Sequence, residues 1–143
     1  MSDDQQGSTA PVGTERQGDE ATTVAELRAV MAAFVAERAW ERFHQPKNLA
    51  MSLAIEAAEL MEEFPWLDVA ESAQVAADPA KREAISDEMA DVLAYLFSLA
   101  NRLEIDLSTA FLRKMEKTRR KYPAAEFRGR WGKDAAAPHP DAV

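Results

Sequence analysis

No cysteine occurs among the 143 residues, which excludes disulfide frameworks, thiolate metal sites and cysteine nucleophiles. Histidine is nearly as scarce. His44 and His139 are too few for a histidine-rich metal centre. The five glycines (Gly7, Gly13, Gly18, Gly129 and Gly132) all lie near the ends, and residues 19–128 contain none. A phosphate-cradling loop or a dinucleotide fingerprint needs glycines inside a strand–turn–helix. Both are therefore excluded, and any phosphate chemistry must rest on side chains and metal ions. Long apolar runs are missing too, since no uncharged stretch approaches the roughly 20 residues that a membrane span requires. Basic charge is in deficit, with 17 Lys and Arg against 25 Asp and Glu and a net charge of −8. A basic groove for a nucleic-acid polymer is not the expectation.

What is present suits one domain with one core: 47 % hydrophobic residues, of which a part are the aromatics at 8 % of the chain. Residues 1–22 carry five acids and one arginine among Gly, Ser, Thr, Gln and Pro, and read as a disordered acidic tail. Residues 132–143 read as a second disordered tail, which leaves 23–131 as the folded domain. No basic start followed by an apolar run is visible, so the expected location is cytoplasmic.

The body reads as helices separated by prolines. Thr23-Val-Ala-Glu26 is a capping-box pattern, followed by Leu27, Val30, Met31 and Phe34 at helical spacing. This first helix is expected to reach about Phe43. A second is expected from about Asn48 to Phe64, stopped by Pro65, and a short helical piece around Val69–Val75. Asp78-Pro79 then opens a long helix carrying Ile85, Met89, Val92, Leu96, Leu99 and Leu103. The last begins after Asp106 and ends before Pro123. No segment alternates with period two, so the expected fold is all-α, a four-helix bundle.

Two acidic pairs stand out, Glu56-Ala-Ala-Glu59 and Glu88-Met-Ala-Asp91. Residues three apart share a helical face, so each pair can aim two carboxylates at one spot. Glu56 falls among Leu49, Leu53 and Leu60, and Glu88 beside Ile85, Val92 and Leu99. Such acids resist desolvation unless a cation sits among them. All-oxygen donors suit Mg²⁺ or Mn²⁺. A solvated helix face is the competing reading for either pair alone; two pairs that each cut into an apolar stripe favour the metal.

Opposite charge is concentrated in the last helix, where Arg113, Lys114, Lys117, Arg119, Arg120 and Lys121 could neutralise a triphosphate. Trp40, His44 and Trp66 fall at or near helix ends, and Tyr95 one turn beyond Asp91. Rings so placed can stack on a base. His44 suits hydrogen bonding better than a catalytic triad, because no serine nucleophile motif accompanies it.

These residues together resemble the all-α nucleoside triphosphate pyrophosphohydrolases, the MazG-like superfamily. Glu56-x-x-Glu59, 28 intervening residues and Glu88-x-x-Asp91 are similar to its metal-binding signature. The segment Glu37-Arg-Ala-Trp-Glu-Arg-Phe-His-Gln-Pro-Lys-Asn-Leu49 resembles the dCTP pyrophosphatase branch. So do Phe64-Pro-Trp66, the stretch from Ser86 to Leu96, and Lys114-Met-Glu-Lys-Thr-Arg-Arg-Lys-Tyr-Pro123. The resemblance covers about residues 24–131. It implies hydrolysis of a nucleoside triphosphate, dCTP or a modified dCTP first, to the monophosphate and pyrophosphate. It implies Mg²⁺ held by Glu56, Glu59, Glu88 and Asp91, with Trp40 and Trp66 flanking the base and His44 nearby. Tyr95 and Lys114 would contact phosphates or sugar. Thr118 stands where that branch has asparagine, a departure that bears on how strictly cytosine is selected. Glu59, at the margin of its stripe, is the expected orienting base for the attacking water.

The wide apolar stripe of the third long helix, with Leu93 and Phe97 on a second side, suggests a partner subunit. The resemblance implies a homotetramer or dimer. The rival readings are a dUTP or broad-specificity pyrophosphatase, and a non-enzymatic helical partner-binding protein.

Overall fold

A computed structural model describes residues 18–129. The expected tail over 1–22 lies outside the described residues except for its last five, where Ala21 and Thr22 amides close a turn on the Gly18 carbonyl. The expected tail over 132–143 lies wholly outside them. The described elements are α1 (Val24–Glu37), α2 (Pro46–Glu62), α3 (Val69–Gln74), a 3₁₀ turn (Val75–Ala77), α4 (Pro79–Arg102), α5 (Leu107–Lys121) and α6 (Ala124–Phe127). Among the described residues there is no strand, as expected of an all-α chain.

Local chemistry sets most helix starts. The Thr23 hydroxyl accepts from the Glu26 amide at 3.2 Å while the Glu26 carboxylate accepts from the Thr23 amide at 2.7 Å. Thr23→Ala breaks this reciprocal cap, and a loss of about 1 kcal/mol is expected in urea denaturation. Asp68 and Glu71 form a second capping box at α3. Asp78 caps α4 with Pro79 at its first position, and Asp106 accepts from the Thr109 amide at 2.7 Å at α5.

The first helix is shorter than its periodicity predicts, ending at Glu37 rather than near Phe43. Ala39 turns left-handed (φ 51°), with its amide on the Ala36 carbonyl at 3.0 Å and the Trp40 amide on Val35 at 3.1 Å. This is a Schellman stop built without glycine. An L-residue in that region costs about 1–2 kcal/mol. The offsetting contacts are local: the Arg38 guanidinium lies 3.6 Å over the Phe34 ring, and Phe34 meets Trp40 edge-on at 5.8 Å. Helix α4 ends the same way, with Glu104 at φ 54° and the Ile105 amide on the Ala100 carbonyl at 3.0 Å.

Helices α2 and α4 form the principal packed pair, and α1 packs on α4. The α2–α4 pair is antiparallel. Lys81 bridges Glu63 at 3.0 Å at one end, and Arg102 reaches the Gln45 side chain at 3.5 Å at the other. Arg28 and Asn101 lock α1 to α4 through two reciprocal bonds of 2.9 Å. The core between them is small: Val35, Leu49, Phe97 and Ala100, with Leu49 most buried at 2 % exposure. Phe97 belongs to this core rather than to a second apolar side of α4; Leu93 and Met89 occupy that side, exposed. Helix α5 packs on no other helix to a comparable extent, and Phe111 and Leu112 project into solvent. One chain thus closes three of the four long helices around its core.

Candidate active site

Because α2 and α4 run antiparallel, the middle of one faces the middle of the other. One carboxylate oxygen from each of Glu56, Glu59 and Glu88 lies within 4.8 Å of the other two. Glu56 and Glu88 are half-buried and Glu59 is exposed, so the cluster opens to solvent on the Glu59 side. Asp91, exposed on α4, falls outside this tight triad. It is close enough for its charge to act on Glu56 and Glu88.

Electrostatics follow from the geometry. Burial holds the Glu56 carboxyl above the usual carboxylate range, and the charges of Glu59 and Asp91 push it further. Glu88 is raised by burial first, then by Glu59, Asp91, Glu56 and Glu63. Among the described residues no ion pair engages any of the four acids. One Glu88 oxygen, Oε2, is enclosed and has no hydrogen-bond partner. A buried carboxylate oxygen without a donor is costly. A hard divalent cation removes that cost, and an all-carboxylate donor set is the kind it takes. The residues fit a metal.

The other predicted residues are not all gathered here. Tyr95 lies half-buried one turn beyond Asp91 on the same helix. Trp40 and His44 are stacked, centroids 6.4 Å apart and planes 20° off parallel, and His44 Nδ1 donates to the Trp40 carbonyl at 2.9 Å. Trp66 is 99 % exposed on a left-handed backbone (φ 67°) just beyond α2. The two tryptophans therefore sit at opposite ends of α2, whose 17 residues span roughly 25 Å. A single chain does not bring both rings to one base. Exposed Lys114 and half-buried Thr118 ride on α5, which does not pack against the acidic helices to any comparable extent.

Sequence reasoning missed Ser98 and Arg102. Both line a cavity of about 240 Å³ between α1 and α4, together with His44. Their signal was available: Glu88, Asp91, Tyr95, Ser98 and Arg102 recur at steps of three and four through an otherwise apolar stretch.

An all-α chain whose two central antiparallel helices bring three glutamates together, one of them with an enclosed, unpartnered oxygen, matches the MazG-like family over residues 51–134, and the chain belongs to that family. More particularly, it is 43 % identical over 117 residues to dCTP pyrophosphatase 1 of Bos taurus and equally to that of Homo sapiens, covering 82 % of this chain and 69 % of each relative. To the Rattus norvegicus protein of the same name it is 44 % identical over 107 residues, 63 % of that protein's length. Among solved structures it is similar to a pyrophosphatase from Archaeoglobus fulgidus. The TM-score is 0.66 at 38 % identity, covering 78 % of this chain and 99 % of the other.

Proposed function

We propose that this dCTP diphosphatase-like hydrolase cleaves dCTP, or a modified dCTP, between the α and β phosphates, releasing the monophosphate and pyrophosphate. The observation that carries the reading is the convergence of Glu56, Glu59 and Glu88, with Glu88 Oε2 enclosed and unpartnered and no ion pair to any of the three among the described residues. The similarity to the mammalian dCTP pyrophosphatases supports the substrate.

Glu56, Glu59 and Glu88 are the residues that would hold Mg²⁺, or Mn²⁺ in its place, with Asp91 completing the acidic rim. A bound divalent ion supplies positive charge for the phosphate oxygens and lowers the pKa of water. The chain's own part is positional. Glu56 and Glu88, half-buried on facing helices, fix the donor spacing. Glu59, open to solvent, is placed to orient a water in line with the pyrophosphate leaving group and to accept its proton. Tyr95 borders the same strip for phosphate or sugar contact.

No side chain among the described residues is completely buried, and Met51, Ile55, Met89 and Leu93 expose apolar surface on the two acidic helices. A homodimer or homotetramer covers such faces. It also lets a second copy bring its α5, with Lys114 and Thr118, and its Trp66 towards this chain's Trp40 and acids. The setting we assign is the cytoplasmic nucleotide pool.

Pyrophosphate release measured across all deoxy- and ribonucleoside triphosphates, with and without Mg²⁺, tests the proposal. Preference for dCTP is expected; release from dUTP or purine triphosphates at equal efficiency would replace it with a broad-specificity reading, and no release from any would leave a binding protein. If Trp40 and Trp66 stack on the base, Trp40→Ala or Trp66→Ala should lower kcat/KM roughly five- to 150-fold, equivalent to about 1–3 kcal/mol per base. Unfolding of Trp66→Ala would instead make that ring a structural lid.

A further inference from the structure

The cavity between α1 and α4 is not explained by the acidic cluster. Ser98 forms part of its wall, is 5 % exposed, and its Oγ has no hydrogen-bond partner. A serine in a helix ordinarily returns its hydroxyl to the carbonyl four residues back. Ser86, earlier in α4, does so, donating to the Arg82 carbonyl at 2.7 Å. Ser98 forgoes that bond.

The rest of the wall is rich in acceptors. Asn101 spends one acceptor and one donor position on Arg28, which leaves its amide one lone pair and one N–H. His44 Nδ1 carries a proton, because the Trp40 carbonyl it meets can only accept, and in the tautomer with that single proton Nε2 is an acceptor. Glu41 and Glu104 add carboxylates. The C-terminal ends of α1 and α4 also meet here, at Val35 and at Asn101 to Glu104, and helix C-termini carry partial negative charge. The donors are Arg102, partly engaged with Gln45, the second Asn101 amide N–H and the Ser98 hydroxyl. Such walls favour a group that donates N–H bonds and carries an acceptor beside it.

Size and position narrow the ligand. About 240 Å³ is below the roughly 300–1,000 Å³ of pockets that hold a whole drug-sized molecule, so a single ring is the appropriate occupant. At 100° per residue, Glu88, Asp91, Tyr95, Ser98 and Arg102 fall within an arc of roughly 80° on α4. Ser98 lies seven residues past Asp91, about 10.5 Å along the axis, a distance comparable with the reach from the phosphate chain to the base in an extended nucleotide.

We propose that this cavity receives the amino-bearing edge of a nucleobase, with Ser98 as a specificity-determining residue that favours a 4-amino over a 4-oxo pyrimidine. The inference rests on the nucleotide-hydrolase reading above. The amine donates its two N–H bonds to a carboxylate and to His44 Nε2, and the Ser98 hydroxyl donates to the adjacent ring nitrogen, which in a 4-oxo pyrimidine is itself a donor. A 4-oxo group would instead turn an acceptor towards acceptors.

The test uses the full chain. Ser98→Ala removes the hydroxyl without loss of helix propensity, so apo thermal stability should be equal or higher. Its kcat/KM for dCTP should fall roughly two- to tenfold, the value of one hydrogen bond, with dUTP unaffected, so the dCTP/dUTP ratio drops. Ser98→Thr, which keeps the hydroxyl, should restore the ratio. An unchanged ratio in Ser98→Ala alongside normal pyrophosphate release overturns the subsite and leaves the hydrolase reading standing. If the unmodified protein hydrolyses no triphosphate, the hydrolase reading fails and an NMR titration with 2′-deoxycytidine and 2′-deoxyuridine, without metal, decides the cavity. Shifts at Ser98 and its neighbours with the cytosine nucleoside alone support it, and equal or absent shifts overturn it.

Discussion

Glu88→Gln is expected to lower turnover by several orders of magnitude while leaving the helical circular dichroism signal intact. Glu88 belongs to the three-glutamate cluster and its Oε2 is enclosed without a partner, so the variant loses a charged donor, not a packing contact. The same substitution should stabilise the metal-free protein at neutral pH. Glu88 has a raised pKa in the folded state, burial being the first cause. A carboxyl raised on folding contributes stability that is fully present below its ordinary value, about 4.3 for glutamate, and is lost as pH rises through the raised value. Thermal melts of apo protein should therefore show the variant above the unmodified chain at pH 7, with the difference vanishing at about pH 3. Near-normal turnover in Glu88→Gln would return this residue to the ordinary helix surface.

Chelation is expected to abolish activity, with recovery on Mg²⁺ or Mn²⁺ and poor recovery on Ca²⁺. The reason is the absence of any ion pair to the four acids among the described residues. Three convergent carboxylates with an open side suit a small octahedral ion that keeps several waters. Ca²⁺, which takes six to eight ligands at longer distance, sets a different spacing. Pyrophosphate release in excess EDTA, followed by metal add-back, measures this directly. Full activity in EDTA would remove the metal reading.

The acidic centre was legible before any coordinates because it is doubly local. Each pair sits three residues apart, which fixes a shared face, and the apolar residues around Glu56 and Glu88 announce that this face is turned inward. The antiparallel packing of α2 on α4 then had only to bring the two faces together. The separate standing of Asp91 depends on fractions of a helical turn, which spacing does not resolve.

Three helix starts were legible for a similar reason, since Thr23, Asp78 and Asp106 announce themselves by side-chain chemistry within three residues; α2, expected from about Asn48, starts at Pro46 with no side-chain cap to mark it. The end of α1 was not. Arg38 and Ala39 are good helix formers, and no glycine marks the stop. A left-handed alanine held by a Phe34–Arg38–Trp40 cluster ends the helix instead.

By itself, then, the sequence determined the class of fold, the helix order and the shared faces of Glu56, Glu59 and Glu88, all of which are written in spacings shorter than two turns. Tertiary structure decided what spacing cannot express. It placed Trp40 and Trp66 at opposite ends of α2, left α5 and its cations without extensive packing on the acidic helices, and put Phe97 in the core. It also left a solvent-open cavity beside an unpaired Ser98. Each of these depends on how one helix lies against another. That is set by side-chain volumes meeting across an interface, a quantity no single helix carries in its own residues.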